Sequence, residues 1–405
     1  MDWAEHVDED TERDLVRWRR HLHENPELSF QEFETTTFVA GSLDEWGIPY
    51  DRPLPTGLVG HVTGRHPGPT VAVRCDLDAL PIEEENTFEF KSRVSGKMHA
   101  CGHDGHTSIL LGLARTLSEL RDEIHGEVRL LFQPAEEVIE SGARQMIEAG
   151  VVEGVDAVIG LHLISDLETG HISLAGGAIM AAADVFEITI TGSGGHGAYP
   201  QQTVDALLIA AGLVGQLQTL VSRRVTPLEP AVVTVGTLHA GTATNVISGT
   251  ATMSGTVRTL SEPVRDQIEH ELRSLVEFFP RAHGATANLV YRRGNPVVVN
   301  DERLAGFLRP AAAAVVGERS LVTMPPTMGA EDFAYYGSVA PSAFAFIGSG
   351  SRELESDFPH HHPRFTVDER ALGTGLRFFL EAVERTSSGP SSLSIAGRGR
   401  GGSPS

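Results

Sequence analysis

The sequence predicts an α/β fold: a largely parallel sheet with helices on both faces, into which a smaller α+β unit is inserted. Three observations predict it. Short apolar runs bounded by Gly and Pro alternate with helical stretches up to residue 163. The rhythm changes to a β-α-β-β-α-β order between about 184 and 292, and the first rhythm returns from about 296. A chain of 405 residues can build two cores, neither of which needs a covalent staple.

From 9 to 46 the apolar positions Leu15, Val16, Trp18, Phe30, Phe33, Phe38, Val39, Leu43 and Trp46 recur at helical spacing, and Pro26 divides the stretch into two helices. Strand-like runs follow at 57–62, 70–78, 127–133 and 155–163, with helical patterns near 104–121 and 141–149. Such alternation reads as a parallel sheet covered on both faces, where sites gather at the carboxyl ends of the strands. The insert reads as strand 184–192, helix 204–222, strands 231–239 and 249–260, helix 262–279 and strand 285–292, the order of a ferredoxin-like unit. Helices near 301–316 and 368–386 and the apolar strand at 342–348 return to the first unit. The expected domains are 1–181 with 294–387, and the insert 182–293. The stretch 388–405 lacks periodicity and is expected to be a disordered tail.

A formal net charge of −22 argues against nucleic acid, because phosphate binding needs clustered Lys and Arg. The opening MDWAEHVDEDTERD is acidic where a secretory signal would be basic and then apolar, and only Cys75 and Cys101 are present. A reducing, cytoplasmic setting is expected. No apolar run approaches the roughly 20 residues of a membrane-spanning helix, so no membrane partner is expected. Small-molecule chemistry remains.

Four stretches could carry it. In MHACGHDGHTS (98–108), Cys101 and His103 share a side only if the backbone is extended, and a thiolate beside an imidazole suits zinc, cobalt, nickel or manganese. Alone, the stretch reads equally as a buried Cys with core or capping histidines. FQPAEE (132–137) ends a buried-type strand in two adjacent carboxylates, Glu136 and Glu137, which extended backbone would send to opposite sides; a surface pair is the plainer reading. GLH (160–162) places His162 at the end of an apolar strand, where a core histidine is commoner, and HHHPRF (360–365) is either a metal-binding loop or a polar turn. All four fall at the ends of successive strands of one domain, and four coincident bland readings are less plausible than any one.

Together MHACGHDGH, FQPAEE, GLH, GGHGAYP (194–200), MGAEDFAYY (328–336) and HHPRF resemble, in this order, the metallo-amidohydrolases related to hippurate hydrolase, N-acyl-amino-acid amidohydrolase and the indoleacetyl-amino-acid hydrolases. RRHLHENPELSFQEFET (19–35) and CDLDALPIEE (75–84) are similar to that family's opening motifs. The resemblance implies an α/β/α metallopeptidase-like catalytic domain and an inserted lid or dimerisation domain. It implies two divalent metal ions (Zn, Mn, Co or Ni) on Cys101, His103, Glu137, His162 and His361, with His360 and His362 as alternatives to the last. Glu136 would be the general base, and Asp76 would support the ligands. His196 would reach the active site of a partner subunit in a homodimer and stabilise the oxyanion, while Asn245 and Arg258 would hold the substrate carboxylate. Ser248 stands where the family has Pro. The implied activity is hydrolysis of N-acyl amino acids. The alternatives are a dipeptidase or carboxypeptidase on the same scaffold, a non-catalytic metal-binding relative, and a hydrolase using Cys101 as nucleophile.

Overall fold

The structure, a computed structural model, describes residues 3–387. The tail expected at 388–405 lies outside the described residues. The chain divides into two compact units, one formed by residues up to 177, 299–325 and from 332 onward, the other by 178–298 and 326–331.

The first unit opens with helix α1 (Glu9–Glu24), whose cap Asp8 accepts the Thr11 N–H at 2.8 Å and whose first turn carries Glu9, Asp10 and Glu12. It stops before Pro26, as a proline requires of the residue preceding it. Helix α2 (Phe33–Glu45) follows, then α3 (His103–Glu119), α4 (Gly142–Glu148) and, after the insert, α7 (Glu302–Val316) and α8 (Arg370–Ser387). The sheet between them runs, in spatial order, Tyr50–Asp51, Leu58–Thr63, His125–Gln133, His66–Asp76, Ala157–Glu168, Ser342–Gly350, Ile172–Ser173 and Leu321–Val322. Its centre is parallel, and the central strands are buried on both faces, which is why they read as unbroken apolar runs.

The margins are not parallel. Leu58–Thr63 runs antiparallel to His125–Gln133, and Ile172–Ser173 antiparallel to Ser342–Gly350. The first reversal has a plain cause: only Gly64 and Arg65 separate Leu58–Thr63 from His66–Asp76, and a parallel crossover needs a dozen residues or more. Two-residue strands such as Ile172–Ser173 carry too little periodicity to be anticipated.

The second unit contains strand Ala182–Thr191, helix α5 (Ala206–Thr219), strands Ala231–Ala240 and Thr250–Thr259, helix α6 (Glu262–Ala282) and strand Thr286–Arg293. These form an antiparallel sheet in the spatial order second, third, first, fourth, the split βαβ arrangement. Along Ala182–Thr191 buried and exposed positions alternate, and Phe186, Ile188 and Ile190 pack with Leu213, Leu217, Ile268 and Leu272 of the two helices. Residues 326–331, not anticipated from the sequence, also belong here: Met180 pairs with Thr327. One helix of this unit meets the length of a membrane span without being one uninterrupted apolar run. Helix Ala206–Arg224 is long and apolar enough to cross a membrane by length and composition. Its Ile209, Leu213, Leu217 and Leu220 face instead fills this unit's core.

Candidate metal centre

Cys101 lies on the loop before α3, and Gly102, at φ 92°, turns the chain into the helix so that His103 is its first residue. Glu136 and Glu137 follow strand His125–Gln133, His162 lies within Ala157–Glu168, and the His360–His362 run sits on the loop before α8. The His361 N–H donates to the Ala100 carbonyl at 2.8 Å, tying this loop to the one that carries Cys101.

Two donor groups share Cys101. One is Cys101 with His103 and Glu137, the other Cys101 with His162 and His360, and within each the donor atoms all lie within 4.8 Å of one another. Cys101 Sγ is 3.6 Å from His162 Nε2 and 3.6 Å from His360 Nδ1. His361, the histidine expected from the resemblance, is exposed and has its Nε2 3.3 Å from Glu137 Oε1. The structure thus brings His360 to the thiolate and His162, and His361 to Glu137. The resemblance selects His361 by its place two residues before Pro363, and nothing in the run points to His360 as the ring beside the thiolate.

The hydrogen bonds decide which nitrogens are available. His103 Nδ1–H donates to the Asp78 carbonyl at 2.9 Å and His162 Nδ1–H to the Leu163 carbonyl at 2.8 Å, leaving both Nε2 lone pairs pointing inward. His106 cannot take part: its Nδ1–H donates to Asp76 at 2.7 Å and its Nε2 accepts the Leu163 N–H at 2.9 Å. His103 Nε2 is buried without a hydrogen-bond partner, and Glu137 Oε1, buried 3.9 Å from it, has only the His361 Nε2 close by, at 3.3 Å and without hydrogen-bond geometry. Such atoms are costly unless a further group satisfies them, and a divalent cation satisfies an imidazole, a carboxylate and a thiolate at once. The donor set therefore fits a metal pair.

Electrostatics agree. Burial, then repulsion from His106 and His360, holds His162 well below the usual imidazole range. Burial, with His106 and His361, pushes His360 down to about 3. Neutral imidazoles are the ligand form. Burial also lowers His103, but Asp76, Asp78 and Glu137 outweigh it and push the ring up to about 10, so the pocket favours positive charge here.

Beneath the donors lies a buried scaffold. Asp78 Oδ1 and Oδ2 accept the Glu136 and Glu137 N–H groups, each at 3.0 Å, and Oδ2 also accepts the Ser29 hydroxyl at 2.6 Å. Asp76 accepts from Arg74 at 2.7 Å, and Arg74 reaches Asp332 at 2.8 Å and Gln133 at 2.9 Å. The Asp332 N–H donates to Glu136 Oε1 at 3.3 Å. Sequence reasoning named Asp76 as the supporting carboxylate and missed that Asp78 grips the Glu pair. The available signal was the i, i+2 spacing, which puts both aspartates on one side of an extended chain.

His196, Asn245 and Arg258 lie in the second unit. Gly195–His196 pairs antiparallel with Val246–Ile247, which brings His196 and Asn245 onto one ribbon, and the Gly197 N–H donates to the Asn245 carbonyl at 2.8 Å. A Cβ on Gly195 would stand 2.5 Å from Thr203 Cγ2, so the glycine is sterically required. His196 Nδ1 accepts the Ala198 N–H at 3.0 Å, which puts the proton of the neutral ring on Nε2, and the side chain is exposed. Arg258 is half-buried on strand Thr250–Thr259; among the described residues its guanidinium makes no side-chain hydrogen bond or close ion pair, and it feels the charge of Asp184. The Ser248 hydroxyl accepts from Gly241 N–H at 3.1 Å and donates to the Thr250 carbonyl at 2.6 Å, tying the ends of the loop that holds Asn245.

The sequence pattern of peptidase family M20/M25/M40 matches residues 72–385. The chain is 51% identical over 298 residues to an N-acyl-L-amino acid amidohydrolase of Geobacillus stearothermophilus, covering 73% of this chain and 80% of the relative. It is 43% identical over 376 residues to an N-acetyl-L-cysteine deacetylase of Bacillus subtilis, covering 92% of this chain and 88% of the relative. Among solved structures it is similar to the YXEP protein of Bacillus subtilis, a dinuclear metal-binding peptidase, at 37% identity and a TM-score of 0.81, over 94% of this chain and 99% of that one.

Proposed function

The chain belongs to peptidase family M20/M25/M40, and on that premise we propose that it hydrolyses the amide bond of N-acyl amino acids with a pair of divalent metal ions. The observation that carries the reading is the pair of donor groups sharing Cys101 beside the buried carboxylate of Glu136. Cys101, His103, Glu137 and His162 hold the metals, with His360 on the Cys101–His162 side and His361 on the Glu137 side. A thiolate with imidazoles and carboxylate fits Zn, Mn, Co or Ni. When bound, the pair supplies an acidified water and polarises the amide carbonyl.

The protein's own groups do the rest. Glu136, oriented by the Asp332 N–H, takes the proton of the attacking water and returns it to the leaving nitrogen. The His196 Nε2–H donates to the oxyanion, a contact of the kind whose loss costs about 100-fold to 1000-fold. Arg258, whose guanidinium makes no side-chain hydrogen bond or close ion pair among the described residues, receives the substrate carboxylate as a planar fork, assisted by Asn245.

Within the second unit, strand Ala231–Ala240 is an open sheet edge, and Tyr199, Leu208, Leu238 and Val246 are exposed. This supports a homodimer in which His196 serves the partner's centre. Cys75 and Cys101 form no disulfide, which suits a reducing cytoplasm. The test is hydrolysis of N-benzoylglycine, N-acetyl amino acids and dipeptides by the metal-loaded enzyme. Glu136→Gln should keep its metal and lose nearly all turnover; more than a tenth of the rate retained removes Glu136 as base.

A further inference from the structure

Helix α2 has an unusual start. Its N-cap residue is Glu32, where short Ser, Thr, Asp or Asn side chains normally accept the helix's first N–H groups, and Glu32 makes no such bond. Glu27 does that work instead, accepting the Glu34 and Thr35 N–H groups at 3.2 and 2.8 Å. Glu32 turns away from its own helix. Fully buried, it accepts the backbone N–H of Ala135 at 2.8 Å, across 103 residues of chain. Burying a carboxyl group is expensive, and the Ala135 bond offsets part of that cost together with the approach of Glu32's own N–H and of the Thr56 hydroxyl.

Ala135 is where that bond matters. Its φ of 53° is left-handed, a conformation an alanine holds only where its surroundings enforce it. The corner it forms is wedged from both sides. A Cβ on Gly142 would meet the Pro134 carbonyl oxygen at 1.7 Å, and one on Gly57 would meet Pro134 Cδ at 2.6 Å. The Thr36 hydroxyl links the two ends, donating to the Glu32 carbonyl at 2.5 Å and accepting the Gly57 N–H at 2.8 Å. With Asp78 holding the next two residues, the N–H groups of Ala135, Glu136 and Glu137 are all gripped by carboxylates. Released from Glu32, Ala135 would relax towards negative φ and swing Glu136 off its line.

We infer that Glu32 is a positioning residue for Glu136, acting through the Ala135 N–H. The inference rests on the reading of Glu136 as general base. What the contact needs is an acceptor at the right reach, not a charge.

The experiment measures kcat, KM, metal content and thermal midpoint of the metal-loaded enzyme on N-benzoylglycine. Glu32→Leu should lower kcat about 10- to 100-fold, the scale of a small misplacement, with KM and metal content within twofold. Glu32→Gln, which keeps the acceptor, should stay within threefold of wild type. Glu32→Asp, which keeps the charge but falls one methylene short, should behave like Glu32→Leu. In a Glu136→Gln background, assayed by overnight product formation, Glu32→Leu should add less than twofold. Should Glu32→Leu not fold, the Gln and Asp pair carries the test. A kcat within twofold for Glu32→Leu, the reverse order of Gln and Asp, or an undiminished loss in the Glu136→Gln background overturns the inference. A silent Glu32→Leu beside an inactive Glu136→Gln sinks Glu32 alone, whereas an active Glu136→Gln brings down the base and Glu32 together.

Discussion

Asp78 Oδ2 accepts the backbone N–H of Glu137 at 3.0 Å, so a proposed metal ligand is held by the main chain rather than by its own side chain. Asp78→Ala would leave the Glu136 and Glu137 N–H groups unpaired, at about 1–3 kcal/mol each. Urea unfolding should show a loss of about 3 kcal/mol, and elemental analysis a loss of metal. Asp78→Asn, with one acceptor left, should fall between this and wild type.

His103 and His106 are one helical turn apart but differ in their free nitrogens. His106 has both committed, whereas His103 keeps a buried, unpartnered Nε2. His103→Ala should therefore lower the metal-to-protein ratio, while His106→Asn should keep it and unfold at lower urea. Equal stoichiometry in the two variants would contradict the assignment.

A thiolate shared by both donor groups predicts a link between chelation and thiol reactivity. The metal-loaded protein should resist alkylation at Cys101, and stripping with a chelator should abolish turnover and open the thiol to iodoacetamide. Peptide mass mapping reads out the site, and Mn, Zn, Co or Ni should restore turnover to different degrees.

If Arg258 receives the substrate carboxylate, Arg258→Ala should raise KM for N-benzoylglycine about 10- to 100-fold, the scale of one charged hydrogen bond. The neutral amide of the same compound, already a poor substrate, should be affected less than threefold. Steady-state kinetics on the two compounds check this.

Burial, and then the charge of Asp78, pushes the Glu32 carboxyl from its ordinary 4.5 up to about 7. Between these values Glu32 binds more proton in the folded chain than in the unfolded one, so its own contribution to stability falls as pH rises through the window. The slope is at most about 1.4 kcal/mol per pH unit. Buried His99, His106, His162 and His360, whose rings are held below the usual imidazole range, act in the opposite direction, so the effect is read as a difference. In denaturant titrations of the metal-stripped protein from pH 5 to 8, the wild type should lose stability relative to Glu32→Gln as pH rises.

The elements long enough to show a period were legible. Helix α1 ends against Pro26 and helix α6 spans Glu262–Ala282, close to the periodic stretch from 262 to 279. The antiparallel margins were not, because direction is set by connection length and by strands of two residues. At the centre, Cys101, His103, Glu137 and His162 were named through the family resemblance, since each stretch taken alone read as well or better as core, cap or surface. Glu32 escaped because a carboxylate that grips a distant backbone N–H leaves no mark in the sequence, whereas Asp78 was signalled only by its spacing from Asp76. His360 and His361 are adjacent and chemically identical, and only the left-handed φ of His361, 64°, sends their rings different ways.

The sulfur at the heart of the centre has a further consequence. Cys75, the other cysteine, is a free thiol sealed within the central strand, 1% exposed. Peroxide reaching an uncovered Cys101 would meet no neighbouring sulfhydryl to trap the sulfenic acid as a reversible bridge, and oxidation would run on to sulfinic acid. Starvation for metal and oxidative stress would then damage this enzyme jointly, since each ion withheld turns a reparable loss into a permanent one.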